Sequence, residues 1–114
     1  MAVARKSLVW GLFAAGGTLS AFLLPAVIAL FLLVASGRVP PGLEFASARS
    51  FAAGSIGKAA LFVVISLALW HSAHRLRVVF HDFGVRMDKN VARAVYLLAA
   101  IGTALTAFYL FSIR

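Results

Sequence analysis

The residues able to do acid–base or ligand chemistry gather in one stretch, LALWHSAHRLRVVFHDFGVR, residues 67–86. His71, His74, Arg75, Arg77, His81 and Asp82 fall within about three helical turns, and all three histidines of the chain are among them. Histidines three residues apart can ligate zinc or another metal, and a single membrane histidine can hold a haem iron. Zinc lacks support, since no carboxylate-rich or cysteine-bearing segment accompanies the histidines. A haem needs ligands above and below its ring, so a partner chain would supply the other. A quinone is the third option. Its oxygens accept charge-assisted hydrogen bonds from arginine and histidine, and its quinol form must shed two protons with two electrons. Histidine relays protons near neutral pH. Residue types and spacing leave these three options open.

The elements that carry this cluster are set by composition. The chain has 114 residues, of which 63% are hydrophobic and only 12% charged, far from a soluble domain. From Leu8 to Ser36 there is no charged residue, and about 20 apolar residues suffice to cross a bilayer. This first run is too long for a signal-peptide core and ends in no small-x-small site, so it is read as retained. The net charge of +8 flanks apolar runs and forms no basic face with interleaved aromatics, so no nucleic-acid partner is expected. The absence of cysteine excludes disulfides, thiolate metal sites and cysteine nucleophiles.

The pattern predicts an all-α membrane protein, a single domain over 1–114 with three spans at about 8–34, 51–80 and 91–113. Pro25 predicts a local kink in the first span. AAGG, residues 14–17, either allows close approach of another helix or is ordinary membrane-helix composition. SGRVPPGLE (36–44) and FGVRMDKN (83–90) read as loops. Arg5, Lys6, Arg75, Arg77, Arg86, Lys89 and Arg93 lie on one side, against Arg38, Arg49, Lys58 and Arg114 on the other. This bias predicts a cytoplasmic N-terminus and second loop, and a C-terminus outside.

Between Lys58 and Arg75 lie 16 residues, about 24 Å of helix against a hydrocarbon core of about 30 Å. The helix must therefore continue through His71, His74 and Arg75 before it leaves hydrocarbon. At about 100° per residue, His71, His74, Arg75, Val78, His81 and Asp82 share a stripe that should face protein or a wet cavity. Arg77, Arg86, Lys89 and Arg93 read as positive-side anchors and Trp70 as an interfacial aromatic. Asp82 and Arg86 are spaced for a helix-end ion pair.

Several segments together have a familiar order. WGLFAAGG (10–17) is followed by SAFLLPAVIALFLLVASG (20–37) with Pro25. SFAAGSIGKAALFVVISLALWHSAHR (50–75) has Gly57 before a basic residue and a Leu-Trp pair ahead of His74-Arg75, and His81-Asp82 follows. In order, spacing and total length these resemble the D-subunit of quinol:fumarate reductases, a three-helix membrane anchor. The third span resembles that family only in being apolar.

The resemblance implies an assembly in the bacterial inner or plasma membrane. In it, the D-subunit and a second three-helix anchor, the C-subunit, hold an iron-sulfur subunit and a flavoprotein subunit at the cytoplasmic face. It implies menaquinol oxidation in a pocket shared with the partners, with FAD and iron-sulfur clusters in the partner subunits. No cofactor is then held by this chain alone, and no catalytic or metal-binding residue is assigned to it.

By the same resemblance His74 and Arg75 border the quinol pocket, while His71, His81, Asp82 and Trp70 stand as neighbouring or proton-path residues. Arg77 and Val78 depart from the family, which can carry histidines there. His71 keeps open a haem-bearing anchor of the succinate:quinone oxidoreductase type. A holin-like membrane protein with lipid as its surroundings and no redox partner is the alternative from another class.

Overall fold

The long uncharged run forms one helix without interruption. In the computed structural model, which describes residues 2–114, α1 spans Ala2–Ala35 and passes through Pro25 as continuous helix. α2 is Phe45–Ala53, α3 is Ser55–Asp82 and α4 is Asp88–Ser112; there are no strands among the described residues. α1, α3 and α4 are each long and apolar enough to cross a membrane. At about 1.5 Å per residue they run roughly 51, 42 and 37 Å, so all exceed a hydrocarbon core of about 30 Å.

The second predicted span is divided. Residues 51–53 belong to α2, and Gly54 takes an extended conformation (φ −72°, ψ 153°) that ends α2 before α3 starts. The turn is tight. Gly54 N–H donates to the carbonyls of Ser50 and Phe51, and a Cβ on Gly57 would overlap the Phe51 carbonyl. Glycine at 57 is thus what lets α2 fold back against the first turn of α3. At the start of α2 the Glu44 carboxylate is held below its usual range by backbone N–H groups, its own and that of Gly42. Burial opposes this slightly, and the Ser47 hydroxyl donates to the same carboxylate at 3.2 Å.

α3 and α4 run antiparallel and form most of the packing, and α1 lies against α3 alone. The contact is made by small residues. Ala73 and Ala99 are buried with Val95, and a Cβ on Gly102 would come within 3.1 Å of Leu69. Close approach through small side chains is how helices gain dispersion contacts in lipid, where no hydrophobic drive separates them from the solvent. The C-terminal half of α1 packs on little else. Phe22 is 77% exposed and Phe31 69%, a surface that lipid or another membrane helix must cover.

Lys58 at the far end of α3 has a defined task. Its ammonium donates to the Ile113 carbonyl at 2.9 Å and lies 5.9 Å from the centre of the Phe111 ring. A cation there complements the carboxyl end of α4.

Candidate functional site

The site begins with the two glycines that sequence alone left ambiguous. A Cβ on Gly16 would meet the Leu67 carbonyl at 2.7 Å and the His71 Cβ at 3.0 Å. α1 and α3 therefore touch backbone to backbone at this point, as the close-approach reading of AAGG requires. Gly17 lies four residues after Phe13, where a side chain would shield the Phe13 carbonyl. Without one, the His71 imidazole enters, and its Nδ1 donates to that carbonyl at 3.0 Å. A Cβ on Gly17 would sit 2.7 Å from His71 Cε1.

Around this contact an apolar cavity of about 460 Å³ opens between α1, α3 and α4, a size ordinary for small-molecule sites. α1 contributes Val9, Trp10, Leu12 and Phe13; α3 contributes Leu67, Trp70, His71 and His74; α4 contributes Tyr96. The rings form a connected set. Phe13 stacks on His71 at 4.4 Å and meets His74 edge-on at 4.7 Å. Trp10 meets Phe13 edge-on at 5.9 Å, and Trp70 stacks on Tyr96 at 6.0 Å.

The polar wall of the cavity continues to the helix end. His74 Nδ1 lies 3.0 Å from the Tyr96 hydroxyl oxygen. Arg77 Nη1 donates a long hydrogen bond, 3.5 Å, to the same oxygen, with its guanidinium 5.9 Å from the Tyr96 ring centre. Arg77 also grips Asp88 side-on, Nε to Oδ1 at 2.9 Å and Nη2 to Oδ2 at 2.5 Å. Side-on guanidinium–carboxylate pairing fixes both groups in one plane.

The predicted residues separate in space. α3 persists to Asp82, so the stripe exists as a helical register. Its members do not all face protein, however. His71, His74 and Val78 are half-buried, whereas Arg75, His81 and Asp82 are exposed. The reason is that α1 and α4 cover only part of that face. His71 and His74 line the cavity, as does Trp70, which packs on Tyr96 at the cavity rather than standing alone. Arg75 lies outside the cavity lining.

Two sequence readings are corrected. Arg77 is more than a surface anchor, because it joins Asp88 to Tyr96. The pair predicted between Asp82 and Arg86 is not formed. α3 stops at Asp82, and the salt bridge among the described residues is Arg77–Asp88.

Trp10, Phe13, Tyr96 and Asp88 were not singled out by sequence. Trp10 and Phe13, three apart and one turn before the glycine pair, carried a helical-face signal. Nothing local marks Tyr96 or Asp88, which depend on how α4 folds back.

A second cavity of about 520 Å³ lies at the opposite end, lined by α2, α3 and α4 residues including Lys58, Phe62 and Phe111. It holds no imidazole, and its cation is already bonded to Ile113. Among the described residues no three His, Cys, Asp or Glu side chains converge as a metal site would require.

Comparison with known proteins matches the family model for the fumarate reductase D-subunit over residues 2–111. The fumarate reductase D-subunit of Aliivibrio fischeri (strain MJ11) is 37% identical over 108 residues, covering 91% of this chain and 88% of the relative. The D-subunit of Vibrio parahaemolyticus is 37% identical with coverages of 91% and 85%. That of Photobacterium profundum is 38% identical over 112 residues, with coverages of 91% and 88%. Near-complete coverage in both directions, together with three membrane-length apolar helices, makes this a multi-pass bacterial membrane protein that belongs to the fumarate reductase D-subunit family.

Proposed function

We propose that this chain anchors a fumarate reductase complex in the membrane and builds part of its quinol site in the cavity between α1, α3 and α4. The observation that carries the reading is an apolar, ring-lined space with two imidazoles in its wall, in the C-terminal half of α3. A quinol head group is a flat apolar ring with two hydroxyls at its edges. Such a molecule needs aromatic walls plus a few placed polar groups, which is what the cavity offers. The oxidised form would accept a hydrogen bond from His74, and Trp10, Phe13 and Trp70 would enclose the ring.

Arg75 takes a different place in this reading. It is exposed one residue round the helix from His74, so its guanidinium is available to a partner protein or to the part of the site that the partner completes. The partners are a second membrane anchor, the C-subunit, together with an iron-sulfur subunit and a flavoprotein subunit. They bring the iron-sulfur clusters and FAD that take the electrons on to fumarate. The exposed C-terminal half of α1 suits contact with the second anchor or with lipid. The lysine and arginine bias favours a cytoplasmic position for the cavity end, where those subunits would dock.

The test is to tag this chain in its native cells, purify the complex, and compare two activities. Reduced viologen dye delivers electrons without a quinol site, whereas menaquinol needs one. In His74→Ala or Trp10→Ala complexes, dye-linked fumarate reduction should persist while quinol-linked reduction falls at least tenfold. Equal activities through both routes would remove the cavity from the pathway. Purification without a flavoprotein would remove the anchor role.

A further inference from the structure

His71 and His74 line one cavity, yet their bonding gives opposite polarity to the nitrogens that remain. The partner of His71 Nδ1 is a peptide carbonyl, which only accepts. A neutral His71 therefore carries its proton on Nδ1 and a lone pair on Nε2. The partner of His74 Nδ1 is the Tyr96 hydroxyl, which can give or take. Arg77 decides between the two, because a guanidinium only donates and its Nη1 is directed to the same hydroxyl oxygen. With a cationic donor on that oxygen, the Tyr96 O–H finds its acceptor in His74 Nδ1, and every group in the chain of bonds is satisfied. A neutral His74 then carries its proton on Nε2. Asp88 holds Arg77 in the plane that makes this assignment.

We infer that His71 is the proton acceptor and His74 the hydrogen-bond donor for one quinol hydroxyl, with Tyr96, Arg77 and Asp88 as positioning residues that fix the His74 tautomer. The inference rests on the quinol reading of the cavity. In the step, the quinol O–H bond breaks and its electron pair stays on oxygen. The proton forms an N–H bond at His71 Nε2, giving an imidazolium whose Nδ1–H remains on the Phe13 carbonyl. The new oxyanion accepts a hydrogen bond from His74 Nε2–H. Electrons then leave one at a time to iron-sulfur centres of the reductase. The second proton passes from the hydroxyl at the opposite edge of the ring to water.

A carbonyl that accepts from His71 and a tyrosine that donates to His74 thus turn two identical side chains into a base and an acid-like donor. A hydroxyl donates and accepts at once, so one quinol oxygen has the chemistry to meet both. His71→Asn in the intact complex separates this role from packing, because asparagine still offers a donor to the Phe13 carbonyl and removes the base.

The expected result is a fall of at least tenfold in quinol-linked kcat, with quinol KM within about threefold and dye-linked activity unchanged. Tyr96→Phe should raise quinol KM more than it lowers kcat. A second measurement uses the wild-type complex and diethyl pyrocarbonate, which acylates bare imidazole nitrogens. Tandem mass spectrometry of the peptide between Lys58 and Arg75 should place the label on His71 rather than His74, and added menaquinone should suppress it.

Quinol turnover within twofold of wild type in His71→Asn, or label favouring His74, overturns the assignment. If quinone protects the peptide and His74→Ala still abolishes quinol turnover, that failure concerns the proton acceptor alone. If quinone protects neither histidine and His74→Ala is silent, the quinol reading itself falls.

Discussion

Replacing Gly16 by alanine should open the site without substituting any residue that lines it. The added Cβ would lie 2.7 Å from the Leu67 carbonyl oxygen, about 0.7 Å inside ordinary van der Waals separation, and 3.0 Å from His71 Cβ. The obstacle is backbone, so it cannot swing aside, and α1 must move off α3 by a similar distance. That shift stretches the bond from His71 Nδ1 to the Phe13 carbonyl, now 3.0 Å, beyond useful hydrogen-bond range. Overpacking of this kind costs about 1–3 kcal/mol.

Alanine also favours helix over glycine by up to ~1 kcal/mol, which needs a control. Gly11 lies in the same helix, and a Cβ there meets nothing within 4 Å. Gly11→Ala therefore reports the helix term alone. If half of the expected strain reaches the bound quinol, about 0.5–1.5 kcal/mol, kcat/KM for quinol falls roughly two- to tenfold in Gly16→Ala, since ~1.4 kcal/mol is tenfold. The assay is quinol-linked against dye-linked fumarate reduction in purified complex. Indistinguishable kinetics for Gly16→Ala and Gly11→Ala would refute the claim that α1–α3 contact sets the cavity.

Other outcomes follow from the same geometry. Arg77→Met and Asp88→Asn should each lower thermal stability only slightly, and the double variant should show weak coupling by a thermodynamic cycle, because both side chains are about a third or more exposed (34% and 42%). Single cysteines at Lys89 and Arg38 in this cysteine-free chain should react with a membrane-impermeant maleimide from opposite faces, Arg38→Cys from outside. Labelling of Lys89→Cys in intact cells would invert the orientation. A reduced-minus-oxidised spectrum of the purified complex should lack haem b bands, and their appearance would make one of the cavity histidines an iron ligand.

The three membrane crossings were legible because hydrophobic length is a local property. Leu8 to Ser36 carries no charge, and the bilayer's thickness turns that run into a span. His71 and His74 were legible as a pair because three-residue spacing fixes a shared face wherever the helix lies. The division at Gly54 was not legible, since glycine is common inside membrane helices. It became a break only through the fold-back of Phe51 onto Gly57. Arg77 shows the wider limit. On its own helix it looks like one more positive anchor, and its role depends on Asp88 and Tyr96, which another helix brings to it. The exposure of Arg75, His81 and Asp82 has the same origin, since the register of α3 is local but the positions of α1 and α4 around it are not.

The most direct test of the central claim is to photolyse a menaquinone analogue bearing an azide on its ring in the assembled complex and map the adducts by mass spectrometry. The cavity predicts label on residues 9–13 of α1, on residues 67–74 of α3 or at Tyr96, competed by unlabelled menaquinone. Label confined to the opposite end, around Lys58 and Phe111, or to partner proteins alone, would contradict it.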